Sequence, residues 1–283
     1  MAAPEENYLY EGIVVTTFGV IDGPTATNLN RITFTFDSPG DDDMMNSNFI
    51  HQIKDIGGGQ LEATKLTVEG VREVIKTNHA NRKEVLFSIH GYADDPRRHL
   101  ATNIKNTNHR VLNECIMRIP ILWWPSEQGK QDGVAHFYDQ RVSESAGRLL
   151  QSLTSPNQNE TVSKSIVCHS IGNRILEHFA NEGVTFDNIF MVDADIDYRL
   201  FNREYINGGL FGIGAKREGL KIRNMLTEGK GGKIHVLYSK KVDTLHVSSV
   251  ERLRSRLGFT GVNPKNVHPE VKDSIVGVDC SLF

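Results

Sequence analysis

Two patterns of apolar positions divide the chain. Residues 11–20, EGIVVTTFGV, and 31–36, RITFTF, are β-branched and aromatic, and in the second Ile32, Phe34 and Phe36 alternate with Thr33 and Thr35. A period of two predicts antiparallel or edge strands. DSPGDDDMMNSN, from Asp37 to Asn48, reads as a solvated loop, without the ligand spacing of a Ca²⁺ site. Gly57 to Gly59 form a flexible break with no Lys-Ser/Thr after it, which argues against a phosphate loop.

From residue 61 the pattern changes to strand-helix alternation. LEATKLTVEGVREVIKTNHA carries Leu66, Val68, Val71, Val74 and Ile75 at helical spacing. EVLFSIHG, CIMRIPILWW, SKSIVCHS, NIFMVDADI, KIHVLYSKK and SIVGVDCSLF are apolar runs of strand length. Between them HLATNIKNTNHRVLNE, FYDQRVSESAGRLLQSL, IGNRILEHFANEG and TLHVSSVERLRSRLG read as helices. Strands without alternation, separated by helices, predict a mostly parallel sheet with helices on both faces, preceded by the N-terminal antiparallel strands. No repeat or linker interrupts the pattern, so residues 1–283 are expected to form one α/β domain, with a segment of about 202–232 covering the site.

Composition narrows the function classes. The formal net charge of −3 gives no bulk reason to expect nucleic acid. The tightest basic cluster, Lys216-Arg217 to Arg223, alternates with apolar residues and reads as a solvated helix face. The three cysteines, Cys115, Cys168 and Cys280, lie far apart, as free reduced thiols of an intracellular protein do, and no metal-ligand spacing is present. The acidic MAAPEENYLY start does not read as a secretory signal, and no apolar run approaches the ~20 residues of a membrane span. The expectation is an intracellular, cytoplasmic protein with no metal and no cofactor; oligomeric state leaves no mark in the sequence.

The chemistry gathers where strands end, as it does in open parallel sheets. In Cys168-His169-Ser170-Ile171-Gly172 a strand runs through a serine into a helix, with small residues at 168 and 172. That is the spacing of a nucleophile elbow, in which a sharp strained turn exposes the serine Oγ. Cysteine stands where the elbow has its first glycine. The plainer alternative for Ser170 is a helix N-cap. Ser88-Ile89-His90-Gly91-Tyr92 ends an earlier strand, so N–H groups of Gly91 and Tyr92, with that of Ile171, are candidate oxyanion donors. His90 reads as a holder of that loop.

A serine nucleophile needs a histidine base, and the base an orienting carboxylate. Asp193, Asp195 and Asp197 follow one strand and Asp243 follows the next. Asp243 has the more usual place for the acid, and Asp195 is the runner-up. Asp243 also reads as the N-cap of the helix that follows it.

These residues carry a resemblance. VLFSIHGY (85–92), IPILWWPSEQG (119–129), FYDQRVSESAGRLLQSL (137–153), CHSIGNR (168–174), DADID (193–197) and YSKKVDTLHVSSVERLRSRLG (238–258) stand in order. The chain resembles an uncharacterised, mostly bacterial α/β-hydrolase family related to esterases and lipases. The resemblance implies the α/β-hydrolase fold, Ser170 as nucleophile and Asp243 or Asp195 as acid. Trp124-Pro125-Ser126 falls on the family's tryptophan-proline-serine signature; from the residues alone it reads as a strand stop.

The chain departs from the family at the base. There the catalytic histidine follows the last strand, and here no histidine follows Cys280 among the eleven. His268 precedes that strand, whose five or six residues span ~17–20 Å. His246 lies one helical turn past Asp243, and His169 precedes the nucleophile with its side chain expected to point away. The triad reads as incomplete, by truncation or by loss. The expected function is hydrolysis of a small-molecule carboxylic ester or thioester through an acyl-serine at Ser170, with no triad histidine identifiable. The alternative is a catalytically inactive hydrolase fold serving as a binding or interaction module.

Overall fold

The computed structural model describes residues 11–16, 19–22, 33–36, 50–57, 60–80, 84–91, 116–122, 150–151, 163–170, 172–180, 183–203, 218–241 and 256–282. The chain divides into two compact units, Met1–Leu86 with Ala93–Val142, and Phe87–Tyr92 with Ser143–Phe283. No helix among the described residues is long and apolar enough to cross a membrane.

In the first unit β1 (Glu11–Thr16) pairs antiparallel with β4 (Ile50–Gly57), with Gly12 opposite Ile53 and Val14 opposite His51. It also pairs in parallel with β7 (Ile116–Leu122). β2 (Gly19–Asp22) and β3 (Thr33–Phe36) form a separate antiparallel pair. β4 pairs antiparallel with β5 (Gln60–Lys65). The helical stripe read from residue 61 therefore begins later than its apolar spacing suggested. Thr67 marks the true start of α1 (Val68–Ala80): its Oγ1 accepts from the Gly70 N–H at 3.0 Å, satisfying a donor that the first helical turn leaves open. From there Val68, Val71 and Ile75 are buried on one side.

The second unit holds the site. Its sheet runs in the order β11-β10-β9-β8-β6, five parallel strands. They are β6 (Glu84–Ile89, whose first half belongs to the other unit), β8 (Lys164–His169), β9 (Asn188–Val192), β10 (Ile234–Tyr238) and β11 (Ile275–Asp279). The register sets Cys168 beside Met191 and His169 beside Val192, so β8 and β9 end together. Helix α2 (Gly172–Phe179) connects β8 to β9 and packs on β8. α3 (Glu218–Asn224) touches α2 and also α5 (Pro269–Lys272); α4 (Leu257–Thr260) packs on β10.

Burial alternates along the middle strands. Ile166, Cys168, Ile189, Met191, Ile234 and Val236 are buried, whereas Val167, Phe190, Val192, His235 and Leu237 between them are half-buried. The order β8-β9-β10-β11 explains this. Right-handed crossovers that always step the same way along a sheet put their helices on one face. On the half-buried side Phe190 and His235 stack, their ring centroids 4.7 Å apart. The Phe87 and Phe186 rings meet edge to face at 5.9 Å.

Of segment 202–232, residues 204–217 lie outside the described residues. The described part ends at the amino end of β9: the Phe186 N–H donates to the Met225 carbonyl at 2.7 Å and the Thr227 N–H to that of Phe186 at 2.8 Å. There Lys230 and Asp187 pair at 2.9 Å. Burial alone would raise the Asp187 carboxyl, but hydrogen bonds from Lys230, Thr227 and Ser163 and the Lys230 charge hold it below its usual range.

Candidate active site

Ser170 joins β8 to α2 with φ at +50°, in the left-handed region that side chains other than glycine rarely adopt. Hydrogen bonds fix this conformation. Its N–H donates to the Val192 carbonyl at 2.8 Å. Its carbonyl accepts from the Asn173 N–H at 3.2 Å, the Asp195 N–H at 3.1 Å and Asn173 Nδ2 at 2.9 Å. Asn173 is fully buried, and its Nδ2 also donates to the Cys168 carbonyl at 3.0 Å. One side chain thus staples the strand end to the turn that follows.

Two glycines let the backbones close in. A Cβ at residue 172 would stand 2.6 Å from the His90 carbonyl oxygen. One at residue 91 would stand 3.1 Å from Ser170 Cβ and 2.7 Å from His169 Nδ1. The chain leaving β6 therefore passes directly against the Ser170 turn. His90 is buried, and its Nδ1 lies 3.0 Å from the Gly91 carbonyl oxygen, a contact that needs the proton on Nδ1. Ile171 and Tyr92, two of the three candidate oxyanion residues, lie outside the described residues, as do Asp243 and His246.

The acids after β9 occupy three different settings. Asp193 is the second non-glycine residue at positive φ, at +43°. Its Oδ2 lies 4.0 Å from His169 Nε2. Burial raises its pKa, while the His169 charge pulls it back. Asp195 is buried between two buried arginines, with Oδ2 2.7 Å from an Arg174 terminal nitrogen and Oδ1 3.0 Å from Arg256 Nε. Arg174 Nε also donates to the Asp195 carbonyl at 2.9 Å. Asp197 accepts two side-chain bonds from Arg199, at 3.0 and 2.9 Å.

His268 caps α5, accepting from the Glu270 N–H on Nδ1 at 3.3 Å, and its own N–H donates to the Phe201 carbonyl at 2.9 Å. Burial pushes the Cys168 thiol above its usual range, so it stays protonated. Among the described residues no group of three or more His, Cys, Asp or Glu is placed to hold a metal ion. Ser170 Oγ has no hydrogen-bond partner among them either.

The structure thus brings Ser170, Gly91 and Asp195 together around one turn. It adds three residues that the sequence reading passed over. His169 does not simply point away; its ring lies against Gly91 and faces Asp193. Asn173 and Arg174 sit in the stretch that suggested the elbow, and their partners are backbone carbonyls and the carboxylate of Asp195, which follows the next strand. The available signal was register: in parallel strands that end together, the residue after one strand neighbours the last residues of the next.

Fold and turn define an α/β protein with a serine in a left-handed strand-to-helix turn at the carboxyl end of a parallel strand. No protein-family profile matches the chain, and no curated protein sequence matches it significantly.

Proposed function

We propose that the protein is a serine hydrolase of the α/β-hydrolase fold that cleaves a carboxylic ester or thioester through an acyl-serine at Ser170. The observation that carries this reading is the Ser170 backbone, held at φ +50° between β8 and α2 with Gly91 packed against it. A buried hydrogen-bond network that maintains a disfavoured serine conformation is a device of functional turns. The short motifs shared with the esterase-related family point the same way.

In this reading Ser170 Oγ attacks the substrate carbonyl carbon and loses its proton to a base. The carbonyl electron pair moves onto oxygen, where the N–H groups of Ile171 and of Gly91 or Tyr92 stabilise it. Collapse of the tetrahedral species expels the alcohol or thiol, which takes up the proton. Water then attacks the acyl-serine to release the acid and restore Ser170. Asp195 is already engaged by two arginines, so Asp243 is the better candidate to orient the base. The chemistry needs no cofactor.

The second reading is a hydrolase fold without catalysis that binds a partner or ligand. It is favoured by the lack of a hydrogen-bonded base on Ser170 Oγ among the described residues. A fluorophosphonate probe, which phosphonylates activated serines, decides between the two. Labelling that maps to Ser170 and disappears in Ser170→Ala supports the hydrolase. An unlabelled wild type supports the binding module.

A further inference from the structure

We infer that His169 and Asp193 form a positioning pair that sets the distance between the loop after β6 and the Ser170 turn; this rests on the serine-hydrolase reading. Three contacts converge on His169. Its ring forms the wall against which Gly91 rests: a Cβ at residue 91 would lie 2.7 Å from Nδ1 and 3.2 Å from Cε1. The same point lies 3.1 Å from Ser170 Cβ, so ring, loop and serine share one contact. The other ring nitrogen, Nε2, faces Asp193 Oδ2 at 4.0 Å.

Asp193 is itself fixed. Its N–H donates to the Leu237 carbonyl at 3.0 Å, tying it to β10. Gly258 presses on its backbone so closely that a Cβ there would stand 2.5 Å from Asp193 Cα. Asp193 stands at φ +43°, and its carboxylate faces the ring of His169, the last residue of β8. Asp195 cannot substitute, because its carboxylate is held between Arg174 and Arg256. The chain of contacts is β10 to Asp193, Asp193 to His169, His169 to Gly91, and Gly91 to the serine.

The consequence is geometric. Gly91 offers one of the candidate oxyanion N–H groups, and a displacement near 1 Å from productive geometry is worth ~10²-fold in rate. His169 acts through Gly91 and is a positioning residue, with no proton transfer assigned to it. Truncating it should lower turnover of substrate already bound more than it weakens binding.

The test compares wild type with His169→Ala, His169→Gln and Asp193→Asn. Asparagine tolerates the left-handed backbone at 193 and removes only the charge. Fluorophosphonate labelling at Ser170 and hydrolysis of p-nitrophenyl acetate are measured on each. His169→Ala and Asp193→Asn should lower kcat by ~10- to 100-fold with KM changed less than threefold. His169→Gln, which keeps an N–H for Asp193, should recover most of the loss. Wild-type labelling at Ser170 with undiminished rates in His169→Ala and Asp193→Asn overturns the pair and leaves the hydrolase reading standing. A KM rise at constant kcat also overturns it, by making His169 a substrate contact. No labelling of wild type overturns both.

Discussion

The carbonyl oxygen of Ser170 accepts a hydrogen bond from the N–H of Asp195 at 3.1 Å. Backbone alone therefore ties the candidate nucleophile to the acidic segment after β9. The Asp195 side chain turns the other way, into a buried group with Arg174 and Arg256. The same residue braces the serine turn through its main chain and pairs with two guanidiniums through its carboxylate.

Asp195→Asn should accordingly destabilise the fold. Removing the charged partner of a buried pair strands the remaining charges and typically costs about 3–5 kcal/mol. Urea denaturation should show a loss of about 3 kcal/mol. An unchanged midpoint would mean that the carboxylate is kept for chemistry and not for the fold.

Gly172→Ala should distort the turn even though alanine favours helices. The new methyl would stand 2.6 Å from the His90 carbonyl oxygen, a backbone atom that no rotamer change can move. Overpacking of this kind costs about 1–3 kcal/mol. The hydrolase reading adds a second expectation, slower fluorophosphonate labelling of Ser170 at a urea concentration where the variant is still folded.

Asn173→Asp should be more harmful than Asn173→Ala. The amide Nδ2 donates to the carbonyls of Cys168 and Ser170, both within 3.0 Å. Alanine removes both side-chain bonds, at about 1–3 kcal/mol, while the Ser170 carbonyl keeps its two backbone donors. Aspartate places a carboxylate against them at a fully buried position, so it must either carry a proton or force the turn open. Thermal unfolding of both variants at pH 7.5 should rank aspartate below alanine.

His51 predicts an acid-sensitive first unit. It is buried on β4, and neither ring nitrogen has a hydrogen-bond partner among the described residues. Burial, with Lys65 adding to it, lowers its pKa from 6.5 to about 4. Above pH 6.5 the ring is neutral in both folded and unfolded chains, and it imposes no penalty. Between 6.5 and 4 the unfolded chain binds a proton that the folded one refuses, so stability falls as pH falls. The full effect is about 3 kcal/mol, complete near the folded pKa. His51→Leu should flatten this part of the pH-stability curve, measured by urea titration at pH 7.5 and 4.5.

What the sequence determined by itself was local. Apolar runs of strand length placed β6, β8, β9, β10 and β11, but not their burial, which alternates along β8, β9 and β10 and leaves most of β11 exposed because the helices after these strands cover one face. The spacing of Cys168, Ser170 and Gly172 located the strained turn, because only small side chains let a strand and its following helix meet. The same reading merged β5 into α1, since a six-residue strand ahead of a helix leaves too few residues to separate period 2 from period 3.6. It overlooked β4, whose place depends on pairing with β1 and β5. Which acid faces which base was a tertiary decision. Asp193, Asp195 and Asp197 alternate along five residues and look equivalent as letters. The register of β8 against β9, the left-handed turn at Asp193 and the arrival of Arg256 from beyond β10 send their carboxylates to a histidine, to two arginines and to Arg199. His169 lies 24 residues before Asp193 and Arg256 61 after Asp195, so only folding brings them within reach, whereas Arg199 is a local partner of Asp197.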